Sequence, residues 1–125
     1  MFYRITTLVL TAVIAARTAQ AAAIEASNTT DVALSGDATW YNTGLGACGG
    51  RNKDSDRIVA LSPRQFKNRQ NCRKHIKVHY RGKTVDATVV DLCPGCAGDS
   101  IDLSPAAFKA LAPLDDGRIK VTWNF

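Results

Sequence analysis

Residues 61–66 (LSPRQF) and 103–108 (LSPAAF) are two copies of one motif, Leu-Ser-Pro-x-x-Phe. Each copy is followed by Ile-Lys-Val-x-aromatic: Ile76-Lys77-Val78-His79-Tyr80 after the first and Ile119-Lys120-Val121-Thr122-Trp123 after the second. The two gaps differ by one residue. In both copies an apolar run leads into Ser-Pro, with Ser at a helix N-cap and Pro in the first turn. An alternating strand then follows. Two strand–helix–strand units imply a barrel built from two halves related by a pseudo-twofold axis, and two copies are too few for a solenoid.

The remaining segments fit around that repeat. Residues 37–42 (DATWYN) are β-prone and run into a Gly-rich loop at 43–50. Residues 57–61 (RIVAL) predict a strand, and the helix after Ser62 runs through Phe66. Residues 74–80 (KHIKVHY) alternate, with Ile76, Val78 and Tyr80 on one face. Arg81-Gly82-Lys83 turns the chain into residues 84–91 (TVDATVVD), the return strand of a hairpin. A loop at 92–100 precedes a short strand at 101–103, and the second helix extends through about Leu111. Asp116-Gly117 turns into a last strand at 118–125. The expected class is mainly β, with six strands and two or three short helices.

Residues 1–21 read as a signal peptide. Arg4 supplies the positive end, residues 5–16 are apolar without a charge, and Ala19-Gln20-Ala21 is a small-x-small cleavage site. The apolar run is shorter than the roughly 18–20 residues that span a bilayer. No second such run exists, so no membrane association is expected after cleavage. Residues 22–35 are small and polar and are expected to be a flexible stretch, with a glycosylation sequon at Asn28. The domain is expected at 36–125, enough for one modest core. Four cysteines, Cys48, Cys72, Cys93 and Cys96, all follow the leader. An even count in an exported chain reads as disulfides, and of the three possible pairings Cys48–Cys72 with Cys93–Cys96 is expected.

Loss of Arg4 and Arg17 with the leader takes the formal charge from +5 to +3. No acid lies between Arg57 and Lys83, a stretch that carries Arg64, Lys67, Arg69, Arg73, Lys74, Lys77 and Arg81. Such a stretch either attracts an anionic polymer or is a solvated basic face. Export and the lack of an aromatic-interleaved motif argue against nucleic acid. Cys93-Pro94-Gly95-Cys96 has redox or zinc spacing, but no βαβ pattern flanks it and the other cysteines are spaced wrongly for zinc. His75 and His79 fall on the solvent face of a strand with Lys77. No metal and no cofactor are expected.

The runs 36–49 (GDATWYNTGLGACG), 55–62 (SDRIVALS), 89–96 (VVDLCPGC) and 101–108 (IDLSPAAF), in that order, resemble the double-psi β-barrel domain of expansin-like proteins, and among them the single-domain fungal loosenins. The resemblance covers residues 36–125. It implies a six-stranded double-psi β-barrel, secreted, acting on cell-wall polysaccharide such as cellulose or chitin and loosening it without hydrolysis; a monomer is the default. The same barrel occurs in endoglucanases, lytic transglycosylases, barwin-like proteins and papain inhibitors. A weak hydrolase or transglycosylase and an inhibitor or effector module are therefore the competing readings. Oxidation of riboflavin, an activity name attached to some fungal relatives, has no flavin or metal motif here to support it.

The resemblance also implies the site. Asp102, in IDLS, stands where related endoglucanases carry the acid that protonates the glycosidic oxygen. Such an acid works best with a raised pKa. Asp91 lies beside it in the family, and Thr39 and Tyr41 match a T-x-Y pattern that lines the same groove. Trp40 either stacks on a sugar ring or anchors the core. Inverting hydrolysis also needs a second carboxylate about 6.5–9.5 Å away. The matching stretch, Asn42-Thr43-Gly44, has none, and Asn cannot take a proton at neutral pH. Asp37 and Asp86 match no base position. The expectation is binding and loosening without efficient hydrolysis.

Overall fold

The computed structural model describes residues 32–125. The expected signal peptide, the Asn28 sequon and most of the stretch expected to be flexible lie outside the described residues. The strands are β1 (Leu34–Trp40), β2 (Ile58–Leu61), β3 (His75–Tyr80), β4 (Lys83–Leu92), β5 (Ile101–Leu103) and β6 (Arg118–Asn124). Two helices, α1 (Pro63–Phe66) and α2 (Pro105–Lys109), follow β2 and β5, and a 3-10 turn spans Leu114–Asp116. The strands close into a barrel in the order β1-β5-β2-β4-β3-β6. β1–β5 and β2–β4 are parallel and the other four pairs antiparallel. This is the mainly β, six-stranded double-psi barrel that the sequence led us to expect.

The repeat is visible in the packing. Leu61 and Leu103 are wholly buried, Phe66 and Phe108 close the core from α1 and α2, and Ile76, Val78, Ile119, Val121 and Trp123 fill it from β3 and β6. Ser62 and Ser104 cap their helices by accepting the N–H of Gln65 and Ala107. Each hydroxyl also donates across to the other half, Ser62 to the Gly98 carbonyl and Ser104 to the Asp56 carbonyl. Ser104 further accepts the Ile58 N–H. The two serines are fully buried. Capping, normally a surface device worth about 1 kcal/mol, here also stitches the halves together.

Several boundaries differ from expectation. β1 starts at Leu34, two residues before the expected domain start, because Leu34 pairs with Trp123 and packs on the core. α2 ends at Lys109, short of Leu111; the N–H groups of Leu111 and Ala112 both turn back to the Phe108 carbonyl, and Pro113 follows. α1 ends in left-handed backbone at Lys67, Asn68 and Arg69 without a glycine. Arg69 and Arg73 hold that turn by donating to the Cys48 and Gly49 carbonyls. Part of the basic stretch is thus structural. Arg64 is likewise paired with Asp99, and Lys77 with Asp86.

The cysteines pair as expected, Cys48–Cys72 and Cys93–Cys96, with no free cysteine among the described residues. The first closes a loop with a sequence separation of 24 and the second one of 3. Loop entropy then predicts that replacing Cys48 and Cys72 by Ala costs roughly 3–4 kcal/mol, and replacing Cys93 and Cys96 about 2 or less. Denaturant unfolding of the two double variants checks the order.

Candidate functional site

The strand registers bring five outward positions into one row. Thr39 on β1 lies beside Asp102 on β5, Asp102 opposite Ala60 on β2, and Ala60 beside Asp91 on β4. On the other side Thr39 lies opposite Arg118 on β6. Partners across a ladder point to the same face. Asp91, Ala60, Asp102, Thr39 and Arg118 therefore form one row on the outer side of the barrel wall, with Ala60 itself buried beneath its neighbours.

Asp91 reaches that face only because β4 is irregular. Val85, Ala87 and Val89 are buried, and strict alternation would send Asp91 inward with them. Between Val59 and Ala60 the β2–β4 register shifts: Val59 pairs with Val89, but Ala60 pairs with Asp91. The extra residue is Val90, and a one-residue bulge turns every later side chain to the opposite face. The Val90 carbonyl accepts the Cys48 N–H, and Asp91 Oδ1 accepts the Ala47 N–H at 2.8 Å. Gly46 permits this approach, since a Cβ there would lie 2.3 Å from the Val90 oxygen.

The side chains expected at the site are brought together. Thr39 Oγ1 donates to Asp102 Oδ1 at 2.9 Å, and the Tyr41 hydroxyl donates to Asp91 Oδ2 at 3.2 Å. Burial, then the negative charge of Asp91, push the Asp102 carboxyl above the ordinary range, while the Thr39 hydrogen bond and Arg118 oppose the rise. Burial and the charge of Asp91 also push the Tyr41 phenol up, so it stays a donor. A half-buried carboxyl with a raised pKa beside a second carboxylate is a candidate general acid.

Trp40 faces the other way, packed against the core with its indole N–H donated to the Leu114 carbonyl at 2.9 Å. Of its two readings the anchor is the one this geometry fits. Asn42 donates to Asp54 Oδ2 at 2.8 Å, and the Thr43 N–H and hydroxyl both donate to Asp54 Oδ1. Asp54 is the carboxylate that the sequence reading missed; it comes from a loop that no motif connects to Asn42. Those hydrogen bonds hold its carboxyl below the ordinary range, which makes it a poor base. Asp37 is ion-paired to Arg118 and Lys120, and Asp86 to His75 and Lys77. His79 is bound through both ring nitrogens, to Thr84 and Asn124.

The pKa shifts give opposite stability signs. The Asp102 carboxyl is raised in the fold, so its ionisation destabilises the fold as pH climbs through and above the ordinary carboxylate range. Asp102→Asn should then be more stable than wild type at pH 7, with the gain gone near pH 3. The Asp37 carboxyl is lowered, first by Lys120 and then by Arg118. Its stabilisation is present above the ordinary range and lost on acidification, so Asp37→Asn should be less stable at pH 7. Thermal melts across pH check both signs.

The family model described as "Lytic transglycolase" matches residues 33–123. A papain inhibitor from Streptomyces mobaraensis is 38% identical over 101 residues, covering 74% of this chain and 71% of the relative. An EG45-like domain containing protein from Citrus jambhiri is 34% identical over 106 residues, covering 74% and 81%. Among solved structures, Streptomyces papain inhibitor is similar with a TM-score of 0.69 at 36% identity, covering 77% of this chain and 96% of the other. A mutant Clavibacter michiganensis expansin in complex with cellohexaose gives 0.68 at 26% identity, covering 74% of this chain but only 49% of the expansin.

Proposed function

This chain belongs to the double-psi β-barrel family described as lytic transglycolase, and we propose that it binds cell-wall polysaccharide, cellulose or chitin, along the Asp91–Asp102–Thr39 row and loosens it without efficient hydrolysis. The observation that carries this reading is the acid row itself. Asp102 is held by Thr39 with its carboxyl raised, while the position expected of a base is occupied by Asn42 locked to a low-pKa Asp54. Carboxylate and hydroxyl side chains lined up in this way can accept and donate hydrogen bonds to sugar hydroxyls. The similar expansin structure is a complex with cellohexaose. The leader-like residues 1–21 and the two disulfides support action outside the cell.

The test pairs wild type with Asp102→Asn on cellulose, chitin and peptidoglycan, scoring polymer pull-down, fibre strength and soluble sugar together. Binding and weakening without sugar release, with weakening lost in the variant, is the expected outcome. Sugar release that depends on Asp102 would make the protein an enzyme, with transglycosylation the first candidate because that reaction needs one acid.

A second reading rests on the Gly-rich loop. Leu45 is 67% exposed between Gly44 and Gly46. The loop beneath it is fixed by the Leu45–Arg51 bridge, the Gly46 N–H on the Gly50 carbonyl and the Cys48–Cys72 disulfide. A rigid loop presenting one apolar side chain loses little entropy on docking, which suits inhibition of a papain-like protease. For that role Leu45→Asp should abolish inhibition of papain and Asp102→Asn should leave it intact.

A further inference from the structure

Beyond Thr39 the row ends in a pocket of about 300 Å³, lined among others by Thr39, Asp37, Arg118, Ser100 and the Cys93 and Cys96 residues of the disulfide. It shares Thr39 with the acid site and so adjoins it. A volume near 300 Å³ is at the lower end for small-ligand sites, the scale of one sugar unit and not of a second domain.

The charges here differ from those at the acid end. Asp37 Oδ2 accepts from Arg118 Nη1 at 3.0 Å, and Lys120 Nζ lies 2.6 Å from Asp37 Oδ1. Two cations, Arg118 in the pocket lining and Lys120 outside it, therefore serve one carboxylate, leaving one positive charge over. Among the described residues the Arg118 side chain gives only that one hydrogen bond, and it is 66% exposed. A guanidinium carries five N–H donors in a fork that matches a carboxylate. The other end of the row holds Asp91 and Asp102, which repel an anion. The row is electrically polar, with acids at β4 and β5 and free guanidinium donors at β6.

Resting on the polysaccharide reading above, we propose that this pocket is a subsite for a carboxylate-bearing sugar, taken by Arg118 while the neighbouring sugar lies over Asp102. The favoured polymer is then an acidic glycan, oriented along the row by the charge difference between its ends. The selectivity comes from Arg118 at this one place, not from the basic stretch on the α1–β4 segment, much of which is held in structural bonds.

The experiment compares binding of polygalacturonate with its fully methyl-esterified form, which has the same backbone without the charge; cellulose and chitin serve as neutral references. Wild type should prefer the acid by about tenfold, the order of one charge-assisted bidentate pair. Arg118→Gln should bring the ratio close to one, and Arg118→Lys should keep part of it. Lys83→Gln removes an equal charge from the β3–β4 turn and should leave the ratio unchanged. Thermal melts establish that each variant is folded. Equal binding of acid and ester by wild type, or an acid preference that survives in folded Arg118→Gln, overturns the subsite. If wild type ignores polygalacturonate but binds cellulose or chitin, the subsite falls and the polysaccharide reading stands. If it binds none of these polymers, both fall.

Discussion

The one-residue bulge at Val90 is the constraint on which the site depends. It takes an aspartate that alternation would bury and turns it outward beside Asp102. A carboxylate left inside the barrel would be charged and unpaired among Val85, Ala87 and Val89, a cost of several kcal/mol. Outside, Asp91 accepts the N–H groups of Ala47 and Leu92 and the hydroxyl of Tyr41. The same bulge exposes the Val90 carbonyl to Cys48 and so seats the Gly-rich loop against β4. One irregular residue positions the second acid, the loop that holds it and the disulfide at the loop's end.

From that point the chemistry follows by proximity. Ala60 separates the two acids, a small residue where a larger one would push them apart, and Thr39 fixes the orientation of Asp102. Burial does most to raise the Asp102 carboxyl and Asp91 adds to it. The larger depression, about 910 Å³, lies along β3 and β6 and meets the row only at Arg118. A row crossing several strands suits an extended polymer better than a small molecule, which is bound within a single concave pocket.

The repeat made most of the fold legible. Leu-Ser-Pro-x-x-Phe encodes a buried strand end, a capped helix and a core aromatic, and both copies do the same work. What the repeat could not encode is departure from symmetry. The bulge is a single valine among valines, and its only trace in the sequence is an acid at a core position of an otherwise alternating strand. The Asn42–Asp54 pairing joins two loops with no shared motif, so only the folded chain brings them together. Trp40 was ambiguous for a simpler reason: the T-x-Y alternation fixes which face it occupies, but not that the Leu114 carbonyl waits there for the indole. Arg118 carries no motif at all, and its place on the row is set by strand register.

The acid row, and not the Leu45 loop, is the surface proposed to meet the ligand. Mapping backbone amide NMR shifts while titrating a soluble cello- or chito-oligosaccharide tests it directly. The account predicts shifts concentrated at Thr39, Tyr41, Ala60, Asp91 and Asp102, with residues 44–51 moving only where they touch Asp91. Shifts centred on Leu45 with a silent acid row, or no shifts at any residue, would contradict it.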